Sequence, residues 1–346
     1  MAEAELLEID GAIGGGSVLR IGVGLAVVLG RPIRIYNIRK GRPQPGLRAQ
    51  HLAGLLAVAQ LCGAELEGAE LGSQEVLFQP GRITKDHLKV RVETAGSVGL
   101  VLQPLQLACL AAEHPVRITI DGGGTFGKWA PPLPYFERVN FAVLERFGYR
   151  AEVRAAREGF YPKGGARVEA CFYPARIAGP LELGERGRLL RIEGVSLASH
   201  HLRQAKVAER QAEAARELLL ALPQVRDRSV PVEIEVRYAE TRSPGSGIVL
   251  AAVFERTILG GDALGERGKR AEEVGREAAQ GLLEDLESGG TLDRYLSDQL
   301  IPFLGLFGGR FRCPKMTEHL QTNLKLVELL LGKECRVSGR GICYPK

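Results

Sequence analysis

The chain has 346 residues, 45% hydrophobic and 25% charged, with a formal net charge of +5. That is the make-up of an ordinary globular protein, long enough for two domains or for one core with an insertion. No run approaches the ~18 apolar residues of a membrane span, the acidic start MAEAELLEID does not read as a secretory signal, and six cysteines without a C-x-x-C pair argue against a metal knuckle or a disulfide scaffold; the expectation is a cytoplasmic protein with reduced, mostly buried thiols and no membrane association.

In chain order, SVLRIGVGLAVVLG (17–30) predicts an apolar helix with Ser17 as its N-cap. A Gly-Arg-Pro break and an alternating strand, PIRIYNI (32–38), follow. LRAQHLAGLLAVAQLCGAELEG (47–68) predicts a second helix passing through Gly into a short strand, and EVLFQPG (75–81) a closing strand. The same order returns in SVGLVLQPLQLACLAAEHPVRITIDGG (97–123), PYFERVNFAVLERFGYRAEV (134–153) and RVEACFYP (167–174). A third copy reads YLSDQLIPFLGLFGGRFRCP (295–314), TEHLQTNLKLVELLLGKECRV (317–337) and GICYP (341–345). The second and third copies are separated by strands RLLRIEGVSL, VPVEIEVRYAE and GIVLAAVFER and by two long helices whose Arg/Glu pairs read as solvated faces. The fold class expected is therefore α/β (α+β). Three repeated α/β units, each of two helices and a four-stranded sheet, occupy 1–183 and 288–346, and a smaller inserted α/β domain occupies 184–287.

Charge is spread unevenly over this frame. From Gly11 to Ala64 there is no Asp or Glu, yet the stretch holds Arg20, Arg31, Arg34, Arg39, Lys40, Arg42 and Arg48. Cations gathered without acids repel one another unless they face solvent or an anion, and the guanidinium fork suits bidentate phosphate contact. IRKGRPQPGLRAQH (38–51) carries much of this charge on a backbone whose prolines and glycines make a poor helix interior. Just upstream, GAIGGGSVLR sets three glycines before a helix, whose first N–H groups attract anions. The spacing matches neither a Walker A loop nor a G-x-G-x-x-G fingerprint. A polyphosphate or nucleic-acid site is predicted.

Among six histidines, His51 and His319 hold corresponding places near the start of the second helix in the first and third units. Neutral imidazole can attack phosphorus near pH 7, and spacing does not choose between the two. RYLSDQL supplies Tyr295, Asp298 and Gln299 upstream of His319, with Asp298 a candidate to orient an imidazole or bind a metal.

IRKGRPQPGLRAQHL, LEGAELGSQEVLFQPG, TAGSVGLVLQ, GFYPKGG, YLSDQL and HLQTN together resemble the RNA 3′-terminal phosphate cyclases over nearly the whole chain, least through the insert. The resemblance implies an enzyme, a ligase acting by nucleotidyl transfer, that consumes ATP to convert an RNA 3′-phosphate end to a 2′,3′-cyclic phosphate. His319, matching the family nucleophile, would form a covalent histidine–AMP intermediate and release pyrophosphate; AMP would pass to the RNA end and leave on cyclisation. Gln103, Pro131, Tyr295, Asp298 and Gln299 would bind ATP, and Arg20, Arg39, Arg42, Gln50 and His51 would hold phosphates or the RNA end. A divalent metal, Mg or Mn, is expected. Its ligand is left open, because AIGGGSV lacks the Glu usual in the family's motif and offers only Glu8 and Asp10 nearby. Pro134 and Ala166 are further departures, standing where the family tends to have Asp and Gly. The alternative is a non-catalytic RNA-binding relative acting in ribosomal RNA processing.

Overall fold

The computed structural model describes residues 5–345. Its first unit runs β1 (Leu7–Asp10), α1 (Gly15–Leu29), β2 (Ile33–Tyr36), α2 (Ala49–Cys62), β3 (Glu65–Glu67) and β4 (Val76–Gln79), with sheet order β1-β2-β4-β3. The second runs β5 (His87–Ser97), α3 (Val98–Ala108), β6 (Val116–Gly124), a helical stretch α4 over 133–145, β7 (Ala151–Arg157) and β8 (Arg167–Phe172), ordered β5-β6-β8-β7. The third opens with β9 (Leu181–Leu183). It resumes after the insert with α7 and α8, described below, and gives the same order once more. In the first two units the opening strand pairs parallel with the second, and the closing hairpin is antiparallel.

The insert contributes β10 (Leu189–Ser199), α5 (Val207–Leu220), β11 (Val232–Ala239), β12 (Ser246–Phe254), β13 (Ile258–Leu264) and α6 (Ala271–Glu287), in sheet order β11-β10-β12-β13. The third unit then completes with α7 (Arg294–Gln299), α8 (Ile301–Phe307), β14 (Gly309–Arg312), α9 (Glu318–Leu331), β15 (Arg336–Ser338) and β16 (Gly341–Tyr344), ordered β9-β14-β16-β15. The molecule is thus a mixed α/β, α+β protein built on four four-stranded sheets.

Local sequence explains the elements. Every residue of α1 from Ser17 to Val27 except Arg20 is buried, so the helix is apolar all round and sits enclosed, packing on α3, α2 and α9. Its one charged residue therefore marks where the enclosure opens. α2 and α9 end on Gly63 and Gly332, both at φ 64°, a left-handed cap that glycine adopts without Cβ strain. Strand β6 alternates Val116, Ile118 and Ile120 inward, as a sheet covered on one face requires. One apolar cluster runs through all three units, and a second is built from residues 189–286 alone. Across the insert's helices, Arg210 donates from Nε and NH2 to Glu272 at 2.8 and 2.9 Å, a bidentate tie between α5 and α6 where sequence spacing suggested only solvated faces. All six cysteines are free thiols, and among the described residues no helix is long and apolar enough to cross a membrane.

Candidate active site

The glycine loop leads directly into α1, but Ser17 is not its cap. Gly14 holds that position, and the Ser17 hydroxyl, inside the first turn, donates back to the Gly14 carbonyl at 3.3 Å. Helix α9 docks on this loop: Thr322 Oγ1 donates to the Ile13 carbonyl at 3.0 Å, and its methyl occupies the space above Gly14. His319 lies three residues earlier on α9 and so on the same face, which sets its imidazole beside the loop. From α2 comes His51, whose Nδ1 accepts the Arg48 N–H at 3.2 Å, leaving the proton on Nε2. Gly16 lies beneath both His51 and Arg20: a Cβ there would fall 2.5 Å from His51 Nε2 and 2.9 Å from Arg20 NH1. Arg20 Nε in turn donates to Gln103 Oε1 at 2.6 Å, and Gln50 Oε1 accepts the Ser97 N–H at 3.2 Å.

Above this floor opens a cavity of about 520 Å³ that gathers Arg20, Gln103, Pro131, Tyr295, Asp298, Gln299 and His319 into one wall set. Gln299 is fixed by a relay: the Gln106 amide donates to Asn140 Oδ1 at 2.6 Å, and Asn140 Nδ2 donates to Gln299 Oε1 at 2.9 Å. The donor end of Gln299 is thereby left for the cavity. His51 and Gln50 adjoin through a small space shared with Arg20, and Arg42 lies against Gly15. Arg39 faces its own loop, donating to the carbonyls of Gln44 and Gly46 at 2.9 and 3.0 Å. That brace stiffens the 38–51 segment. Two arginines of the acid-free stretch are spent elsewhere, because Arg31 pairs with Glu5 and Arg34 with Glu8 and Glu75.

The electrostatics favour neutral imidazoles beside fixed cations. Burial lowers His51 to about 3, with Arg20, Arg39 and Arg48 adding to the shift. His319 is lowered by burial and then by Arg20 and Arg42, with Glu318 opposing. Burial also lowers Arg20 to about 10, against the pull of Asp298, which leaves the guanidinium charged at neutral pH. Asp298 is pushed up to about 8 by burial, despite Arg20 and with help from Asp293. A carboxyl held neutral at pH 7 is a poor partner for an imidazolium, and among the described residues no hydrogen bond joins Asp298 to His319. The orienting contact expected from the sequence is not formed.

Neither acid near the glycine loop lines the cavity. Glu8 is paired with Arg34 at 2.7 Å, and Asp10 accepts from the Ala12 N–H at 2.9 Å and from Asn37 at 3.1 Å. Among the described residues no three His, Cys, Asp or Glu side chains are grouped to hold a metal ion. Pro134 falls in the first turn of α4, where its missing N–H costs no helical bond. Ala166 is fully buried, its N–H donating to the Gly123 carbonyl at 3.1 Å.

A family model described as RNA 3′-terminal phosphate cyclase matches residues 12–337. The chain is similar to a protein of that name from Thermococcus kodakarensis, 45% identical over 337 residues covering 97% of this chain and 95% of the relative. Proteins of the same name from Pyrococcus abyssi and Methanopyrus kandleri are each 44% identical, covering 96% and 97% of this chain and 96% of each relative. The chain belongs to the RNA 3′-terminal phosphate cyclase family. It is accordingly an enzyme, and the cyclase cavity includes residues that the sequence motifs did not flag.

Chief among these is the wall supplied by the insert, Asp262, Leu264 and Glu266, with Lys128 of the second unit paired to Glu266 at 2.8 Å. Burial raises Asp262 to about 7, with repulsion from Asp293 and Glu277 adding. Asp293, also missed, joins three parts of the chain. It accepts from the Tyr135 hydroxyl at 2.7 Å, from the Gly260 N–H at 2.7 Å and from the first N–H groups of α7 at 2.9 Å. The D-x-Y-L spacing at the start of α7 does read as an N-cap; its tie to the other two segments has no local signal. Trp129, 95% exposed at the cavity mouth, was likewise unflagged.

Proposed function

We propose that this chain converts an RNA 3′-phosphate end to a 2′,3′-cyclic phosphate at the expense of ATP. Residues 1–183 and 288–346 act as the catalytic domain and 184–287 as the inserted domain that walls the nucleotide pocket. The observation carrying the reading is His319: an imidazole with a lowered pKa, at the N-terminus of α9, sharing one cavity with Arg20 and with Ser17 of the helix that the glycine loop opens.

In this reading His319 Nε2 attacks the α-phosphorus of ATP; the N–P bond forms as the bond to pyrophosphate breaks. A 3′-phosphate oxygen of the RNA then takes the adenylyl group, breaking the N–P bond and returning the imidazole. The neighbouring 2′-hydroxyl attacks the 3′-phosphorus, its proton passes to solvent, and AMP leaves. Little acid–base chemistry is needed; positioning and charge neutralisation carry the barrier. Arg20, Arg42 and the Nε2–H of neutral His51 would contact phosphate oxygens, and Arg39 would hold the loop that presents them. Gln50 would set that wall by its bond to Ser97. Gln103, Pro131, Tyr295, Asp298 and Gln299 would frame the nucleotide, Asp298 as a neutral donor. The start of α1 offers further N–H groups to the same anions.

The test is incubation with ATP labelled at the α-phosphate. A covalent protein–AMP adduct should form and vanish in His319→Ala. With 3′-phosphorylated RNA added, the end should become phosphatase-resistant. RNA binding without adduct would instead support the non-catalytic reading.

A further inference from the structure

A second pocket, of about 440 Å³, lies along β5 and shares no lining residue with the cavity above. Five cations line it, Lys89, Arg91, Arg157, Lys163 and Arg242, against two carboxylates, Glu93 and Asp121. Among the described residues only Arg91 has an acid within ion-pair reach, Glu93 at 4.0 Å. All five are exposed, so solvent screens part of their mutual repulsion, and an anion in the space would relieve the remainder.

The cations are presented by β5, the end of β7, the 160–165 loop and the insert, and two of them, Arg157 and Arg242, are held in place. Arg157 Nε donates to the Gly165 carbonyl at 2.6 Å. Arg242, from the insert, lies so close over Gly165 that a Cβ would fall 2.5 Å from its Cδ. The Lys163 N–H donates to Ser243 Oγ at 3.1 Å, tying the 160–165 loop to the insert. A single surface helix rich in lysine would have none of this convergence.

The pocket is also continuous with the active site through packed backbone. A Cβ on Gly96 would lie 3.1 Å from Gln50, and one on Gly164 would lie 3.0 Å from the Cα of Ala95. Arg91 pairs with Asp121 and Ser97 with Gly124, so across the bulge in β5 the two are three partner residues apart, roughly 10 Å at ~3.3 Å per residue. The pocket therefore begins a short stretch of polymer away from the phosphate wall. Beside it Tyr161, two positions before Lys163, is 80% exposed and offers an open ring face.

We infer that this pocket holds backbone phosphates of the RNA strand a few nucleotides upstream of its 3′-phosphate, with Tyr161 stacking on a base; the inference rests on the proposed reaction at an RNA end. Phosphates alone would satisfy the cations, whereas an exposed aromatic ring beside them suits a nucleic-acid strand. The insert then has a second role, since Arg242 closes the pocket.

The test uses the full chain, without ATP, and a fluorescent single-stranded RNA of about twelve nucleotides, a length within the range that one binding groove accommodates. Lys163→Ala with Arg242→Ala, both exposed positions, should weaken binding roughly tenfold and reduce the slope of log K against log salt by about 1.4, at ~0.7 per phosphate contact. Glu93→Gln should tighten binding, and Tyr161→Ala should weaken it with the slope unchanged. In turnover the double variant should raise KM for the long RNA while sparing kcat, and leave a 3′-phosphorylated dinucleotide unaffected. An unchanged salt slope, or equal losses for both substrate lengths, overturns the inference. Absence of a protein–AMP adduct in the unmodified chain, with the slope still falling in the double variant, sinks the proposed reaction and leaves the RNA track standing.

Discussion

Replacing Gly16 by Ala probes the site where two functional side chains, His51 and Arg20, converge. The backbone at Gly16 is outside the left-handed region, so alanine is conformationally acceptable there, and in a helix it is favoured over glycine by up to ~1 kcal/mol. That preference offsets part of the ~1–3 kcal/mol that overpacking costs, so any loss of stability should stay within that range. The added methyl, however, would sit 2.5 Å from His51 Nε2 and 2.9 Å from Arg20 NH1, where ordinary contact begins at 3.4 Å. Neither neighbour moves freely: His51 is held through Nδ1 by the Arg48 N–H, and Arg20 through Nε by Gln103. Relief requires a displacement on the order of 1 Å in the groups assigned to phosphate, and a misplacement of that size costs about 10²-fold in rate. The assay is the rate of protein–AMP formation from labelled ATP, alongside the thermal unfolding midpoint. A stable variant with full adenylylation rate refutes the reasoning, because the close approach would then be functionally idle. A loss of stability beyond that range, in parallel with the rate, would refute it as well, by tracing the defect to unfolding.

Arg42→Ala removes an exposed charge and should slow adenylylation or RNA-end transfer without changing the unfolding midpoint. Arg39→Ala also removes two donations to loop carbonyls. It should in addition cost about 1.5–3 kcal/mol of stability, measured by denaturant unfolding. In the proposed reaction His319 acts unprotonated, and its pKa is depressed, so adenylylation should be flat through neutrality and fall only below the ordinary histidine value of about 6.5. Arg42→Ala should move that acid limb upward, since one cation opposing protonation is gone. For Asp298 the folded value of about 8 lies above the unfolded one. Its contribution to stability is thus complete below about 3.9 and is lost as pH rises through the folded value. Asp298→Asn should accordingly gain stability over the unmodified chain as pH rises across that window, then keep a constant advantage. An advantage that shrinks with pH would contradict the assignment.

The repeat was legible because punctuation recurs: an apolar helix, a break, a strand, a second helix closed by Gly, and a final strand. The opening strands β1, β5 and β9 escaped, because each is set before the helix that announces its unit, and β1 and β9 are short besides. The insert's β13 escaped because ILGGDAL carries a Gly pair and no alternation. Arg20, Gln103, Pro131, Tyr295, Asp298, Gln299 and His319 line one cavity, whereas Arg39, Arg42, Gln50 and His51 lie outside its lining, because motif spacing carries no measure of direction. Arg39 proved to brace its own loop, and Arg34 to pair with acids lying outside the acid-free window. Ser17 looked like a cap because its side chain suits one, yet Gly14 takes the position where the loop turns. Asp293 and Asp262 were invisible for a different reason. Their partners Tyr135, Gly260 and Glu277 come from distant parts of the chain, and only the tertiary fold brings them together.

That last arrangement bears on how such a chain could have been assembled over time. Three repeated units alone would possess His319, the glycine loop and the arginine wall, but one side of the cavity would stand open where Asp262, Leu264 and Glu266 now close it. Excising 184–287 would also strand the Tyr135–Asp293 pair without the Gly260 N–H that completes it. The insertion is thus a constituent of the pocket rather than an appendage, and an ancestor lacking it would have met nucleotides on an open ledge.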